Sequence, residues 1–164
     1  MAKILKCLRI PREVGQAYVS LAELSSERRR GCRMESLEGF EAVGTRGFYR
    51  PSGRVSADLL GDLMTAAIRF ARAHDLRDVV VNITSTTGFE SPDADYRRRL
   101  VKRWAATAAR FMRIAVVARR KHIHPTKIGL VVAAEEGLQA HICEDEDEAI
   151  AWLDTAAAGD RAAR

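Results

Sequence analysis

Val79-Val80-Val81-Asn82-Ile83 is a short run rich in β-branched apolar residues, and its reading decides the fold class. A run of this length without polar alternation reads as a strand buried on both faces, which is the signature of a parallel sheet covered by helices. Ile114–Ala118 is a second strand of the same kind. Between them Pro92 and Asp93 can open a helix, with Val101, Trp104, Ala105, Ala108 and Phe111 along one side. Arg98, Arg99, Lys102 and Arg103 fall toward the other side.

The pattern extends outward in both directions. Upstream, Ser56 is a good N-cap and Asp58 suits the positive end of the helix dipole. Leu60, Leu63, Met64, Ala67, Phe70 and Ala71 then recur at helical spacing to about Ala73. Pro51-Ser52-Gly53 is a turn, and Phe40–Tyr49, with Gly44 and Gly47, reads as a strand or a bulged hairpin. Downstream, Thr126 to about Glu136 reads as a short helix closed by Gly137, although Val131-Val132 also suits a strand. Leu138–Cys143 is a short strand. Asp145 with Glu148 resembles a capping box opening a helix that carries Ala149, Trp152, Leu153 and Ala156. The order β–α–β–α–β–α–β–α predicts α/β layering, with an antiparallel strand or hairpin at the N-terminal edge.

Composition sets the outer bounds. A chain of 164 residues predicts one domain able to bury a core without metal or disulfide staples. Hydrophobic residues make up 47% and charged residues 30%, which excludes wholesale disorder. Nothing approaches a membrane-spanning run. Cys7, Cys32 and Cys143 are odd in number and widely spaced, so neither a disulfide framework nor a zinc knuckle is expected, and the expected compartment is the reducing cytoplasm. Residues 1–36 lack sustained periodicity and form an expected basic arm, 37–158 the α/β domain, and 159–164 a frayed C-terminus.

The net charge of +5 is concentrated in that arm. Residues 1–33 carry eight basic side chains against three acidic ones, which leaves 19 of each sign in the rest. The high isoelectric point therefore describes the leader, and nucleic-acid binding is not expected of the body. The body is polarised all the same. Asp93–Arg113 holds seven basic residues and two acidic ones, whereas Glu135–Glu148 holds seven acidic residues and no Lys or Arg. Two solvated faces of opposite sign account for this. A basic face of Arg98, Arg99, Lys102 and Arg103 that meets an acidic protein partner, an anionic ligand or a second copy is the sharper reading.

Several stretches carry a family likeness: Gly53-Arg54-Val55-Ser56, Val79–Ile83 with its Thr/Ser loop, Arg113–Ala118, His124-Pro125-Thr126-Lys127-Ile128-Gly129, and Glu146–Leu153. Over roughly residues 40–153 the chain resembles the bacterial STAS-like proteins, named for sulfate transporters and anti-sigma-factor antagonists. Their uncharacterised single-domain members are the most similar in pattern. The resemblance implies a small mixed sheet of four to five strands with helices packed mainly on one face. In antagonist members the loop after a central strand carries Asp-Ser, with a phosphorylatable hydroxyl at a helix N-terminus. The corresponding loop here, Thr84-Ser85-Thr86-Thr87-Gly88, has four hydroxyls without the Asp-Ser pair, and runs on through Phe89, Glu90, Ser91 and Pro92. A related fold class binds lipids in an apolar pocket.

Candidate chemistry is sparse. Thr84, Ser85, Thr86 and Thr87 form the candidate phospho-acceptor or binding loop, since phosphate is favoured near a helix N-terminus. The same residues also serve as ordinary strand-ending turn formers. His122 and His124 form an HxH pair beside Arg119, Arg120 and Lys121, whose charge opposes a cation, so they read as surface or helix-entry histidines and no metal site is expected. Asp93 and Asp95 could act as carboxylate acid/base groups, but a helix N-terminus explains them. Trp104 and Trp152 are expected on core or interface faces. There is no nucleophile elbow, Walker A or GxGxxG, and no cofactor is expected. The sequence thus points to a non-enzymatic regulatory or protein-interaction module, phospho-regulated at Thr84–Gly88. The alternative is a carrier of a small molecule or lipid with an internal apolar pocket.

Overall fold

The computed structural model describes residues 36–109 and 112–162, the last three by their backbone alone. The expected arm, Ser36 apart, lies outside the described residues, as do Cys7, Cys32, Phe111 and the chain's last two residues.

Among the described residues, seven strands and four helices follow one another: β1 Phe40–Val43, β2 Arg46–Tyr49, β3 Gly53–Arg54, α1 Ala57–Ala73, β4 Asp78–Asn82, β5 Thr86–Thr87, α2 Ala94–Ala108, β6 Arg113–Val117, α3 Ile128–Glu135, β7 Gln139–Cys143 and α4 Glu146–Ala162. A 3-10 turn, Arg120–His122, lies between β6 and α3. The main sheet has five strands in the order β1-β2-β4-β6-β7. β1 runs antiparallel to β2, and every other pairing in it is parallel. The fold is thus α/β with a mixed sheet, as the alternation of elements predicts.

The two buried apolar runs form the centre of the sheet. Val79–Val81 and Ile114–Ala115 are at most 1% exposed, and β4 pairs with β6 in register Val79↔Ile114 and Val81↔Val116. Alternation along these strands divides their side chains between two layers. Val79, Val81 and Ile114 face a core completed by α1, α2 and α3, with Met64, Ile68, Trp104 and Val132 among its members. Val80, Ala115, Val117 and Cys143 face α4, through Ala149 and Leu153. Three helices therefore cover one face and one covers the other.

The local signals hold where a side chain can close a turn of backbone. Ser56 accepts from Leu59 N at 3.2 Å and Asp93 from Tyr96 N at 2.7 Å, each as the N-cap of its helix. Asp145 Oδ1 accepts from Asp147 N at 2.7 Å and Glu148 N at 3.3 Å, while the Glu148 carboxylate reaches back to His141. The Phe40–Tyr49 segment is a hairpin in which Val43 pairs with Arg46. Its two-residue loop begins with Gly44 at φ +60, the left-handed conformation that such loops favour.

Some boundaries differ from expectation. The segment expected to be a helix from Thr126 begins at Ile128, because Lys127 sits at φ +47 and cannot belong to the regular turn. Val131-Val132 lies inside that helix. Thr86–Thr87, expected as loop, pairs in parallel with Gly53–Arg54 and makes a second, two-stranded sheet. The last helix extends through Gly159 to Ala162, past the position where fraying was expected.

Candidate functional site

α2 packs chiefly on its neighbours α1 and α3 rather than on the strands beneath it. The space this leaves is a partly open cavity of about 120 Å³, walled by α1, α2, α3 and the sheet. Engineered apolar cavities of about 150 Å³ take up benzene. The space therefore suits a group of roughly one ring. The loop after β5 contributes Phe89 to its wall, and the turn after β6 contributes His122.

The wall is largely apolar, with Leu60, Met64, Leu100, Val101 and Ile114 as representative members. Gly61 allows α1 and α2 to approach closely on this wall: a Cβ there would stand 2.9 Å from Leu100 Cδ1. Two lining residues carry a buried nitrogen with no hydrogen-bond partner among the described residues, Trp104 Nε1 and His122 Nδ1. Trp104 is 9% exposed and His122 7%. A buried polar group without a partner is costly, and in native structures nearly all such groups are met by protein or by ordered water. His122 stacks on Phe89 with ring centroids 4.5 Å apart. Burial, reinforced by Lys121, Arg119 and Arg97, pushes its pKa below the ordinary value and favours a neutral imidazole. The expectation of a surface histidine is thus corrected: the 3-10 turn carries His122 inward.

Arg97 completes the polar set. It lines the cavity in register with Val101, Trp104 and Ala108, not with the outward basic residues. Its Nε donates to Pro92 O at 2.9 Å, and its Nη2 to Ser91 Oγ at 2.6 Å and His122 O at 3.0 Å. These bonds tie the loop after β5 to the turn that carries His122. Burial lowers the pKa of this guanidinium from its usual value.

The basic face is present, but much of its charge is met within the chain. Arg98 pairs with Asp95 at 3.4 Å, Lys102 with Glu136 at 3.5 Å and Arg103 with Asp62 at 2.8 Å. Arg99 stands 5.9 Å from the Tyr96 ring. Asp93 and Asp95 are accounted for as the α2 cap and the Arg98 partner.

The hydroxyl loop divides in the same way. Thr84 Oγ1 donates to Asn82 Oδ1 at 2.7 Å, and Thr86, only 1% exposed, donates to Ile83 O at 2.6 Å. Thr87 Oγ1 lies 3.5 Å from Gly53 O, and Thr87 and Ser85 are both exposed. Asn82 in turn donates to Glu146 Oε2 at 2.8 Å, and Arg50 Nε donates to that oxygen at 3.2 Å. The Arg50 hydrogen bond in particular holds the Glu146 carboxyl below its usual range.

Of the remaining histidines, His124 also lines the cavity, whereas the His141 ring lies against α4. His124 Nδ1 bonds Thr126 Oγ1 at 2.9 Å, and His141 stacks on Trp152 over α4 at 5.2 Å. Among the described residues no group of three His, Cys, Asp or Glu side chains could hold a metal ion. Cys143 is buried and donates to Asp145 O at 3.1 Å, and its burial pushes the thiol pKa up. No described helix is long and apolar enough to cross a membrane.

Comparison with protein-family models, with curated proteins and with solved structures finds no match. The likeness to STAS-like proteins therefore rests on the sequence stretches alone.

Proposed function

We propose that the protein binds a small, mainly apolar organic molecule in the cavity beneath α2. The observation that carries this reading is the largely apolar cavity itself, with Trp104, His122 and Arg97 as polar members of its lining. Apolar surface supplies affinity in such sites, while a few polar groups set orientation. Trp104 supplies a donor; neutral His122 supplies a donor or an acceptor according to its tautomer.

The test is a titration of the full chain carrying Trp152→Phe with 2-phenylethanol. Only two tryptophans are present, so Trp104 alone then reports. A saturable change in emission is expected. Gly129→Leu is expected to abolish it, because Gly129 lines the cavity and a Cβ there meets only Val101 Cγ2, at 3.7 Å. No saturable change in the parent, or the same change in the Gly129→Leu variant, would refute the reading.

The interaction-module reading has narrower support. Ser85 is exposed, and Asn82 ties its loop to Glu146 at the start of α4.

A further inference from the structure

The charges around the cavity are one-sided. Arg97 and Lys127 line it, together with His122 and His124, and among the described residues no carboxylate does. Lys127 is the exposed member of the lining, so the cation it carries stands at the open side. Arg97 is half-buried, and its side-chain bonds go to two carbonyls and a serine hydroxyl. Among the described residues it has no carboxylate partner, in contrast to Arg98 and Arg103 on the same helix.

A partly desolvated guanidinium without a counter-ion is costly, and an anion supplied by a ligand would relieve that cost. Arg97 and Trp104 are two turns apart on α2, about 10 Å at 1.5 Å per residue. Leu100 and Val101 lie between them. The order along the wall is therefore cation, apolar surface, indole donor.

We infer that the ligand is an amphiphilic anion: a ring-sized apolar body beside Leu100, Val101 and Trp104, with a carboxylate or phosphate head held by Arg97. This inference rests on the cavity reading and adds the head group to it. On the outward face Arg98, Lys102 and Arg103 are paired with Asp95, Glu136 and Asp62, whereas Arg97 is the arginine of this helix that lines the cavity.

The experiment compares probes of one shape in the full chain carrying Trp152→Phe: phenylacetate, phenyl phosphate and the neutral 2-phenylethanol. The better of the two anions is expected to bind at least tenfold tighter than the alcohol, and which one it is identifies the head. Arg97→Gln is expected to bring that ratio near one; the ratio is taken within the variant, so a loss common to all three probes cancels. Arg97→Lys is expected to keep a reduced preference. Arg97 also staples two loops, so circular dichroism must show that the Gln variant folds; where it does not, the parent ratio and the Lys variant decide. Equal binding of anions and alcohol overturns the anionic head and leaves the cavity reading intact. An undiminished preference in Arg97→Gln overturns the role of Arg97. Binding of no probe overturns both readings.

Discussion

Trp104→Phe separates an indole that waits for a partner from one that merely fills the core. Trp104 is 9% exposed, and its Nε1 has no partner among the described residues. Shortening it to phenyl withdraws roughly 40 Å² of apolar burial, about 1 kcal/mol at about 25 cal/mol per Å². The enlarged cavity adds about 1 kcal/mol more. Against this, removing an unsatisfied buried N–H recovers about 1–3 kcal/mol. The two sides nearly cancel, so the ligand-free variant should keep the parent's stability to within about 1 kcal/mol. Had the indole been hydrogen-bonded, the same change would lose burial and the bond together, about 3 kcal/mol or more. Urea unfolding followed by far-ultraviolet circular dichroism measures the difference through the midpoint at constant slope. A loss of about 3 kcal/mol would refute the reasoning. On the binding side, the variant should bind 2-phenylethanol about tenfold more weakly, corresponding to about 1.4 kcal/mol.

Other expected outcomes follow from the same structure. His122 is held below its ordinary pKa of 6.5. As pH falls below that value the unfolded chain takes up a proton that the folded chain resists, so stability declines on acidification. His122→Gln should flatten that slope in unfolding measured from pH 7 to pH 5. Asp78, with a side chain 6% exposed, receives Arg113 Nε at 2.7 Å and Arg46 Nη2 at 3.5 Å. Asp78→Ala should cost about 3–5 kcal/mol in urea unfolding, because it takes a carboxylate from the buried Arg113, while Arg46 keeps Asp154. Within the hydroxyl loop, Thr86→Val should cost about 1 kcal/mol through loss of its bond to Ile83 O. Ser85→Asp on the exposed position should change stability by less than about 0.5 kcal/mol, which the same assay resolves.

The parallel core was legible because Val79–Ile83 and Ile114–Ala118 lack polar alternation, and only a sheet covered on both sides accommodates two such runs. Ser56, Asp93 and Asp145 were legible as caps because each sits immediately before a helical pattern. The Thr86–Thr87 strand was not, since a two-residue pairing with Gly53–Arg54 leaves no periodicity to detect. The cavity is a property of three helices and a sheet together, so no single segment announces it. Two signals for its polar members were nevertheless present. Arg97 lies four residues before Val101 and seven before Trp104, which places it on the apolar stripe rather than with Arg98 and Arg99. His122 is flanked by cations that favour solvent, and those neighbours masked the inward direction its own ring takes.

The central claim, a ligand cavity lined by an unpartnered indole, is tested most directly by the two indole N–H resonances in a ¹⁵N–¹H spectrum of the full chain. Trp104 lines the cavity and Trp152 stacks on His141 over α4, so Trp152 serves as the internal control. Titration with 2-phenylethanol is predicted to move the Trp104 indole resonance saturably and to leave that of Trp152 in place. A Trp104 resonance that stays fixed through the titration, or movement confined to Trp152, would contradict the account.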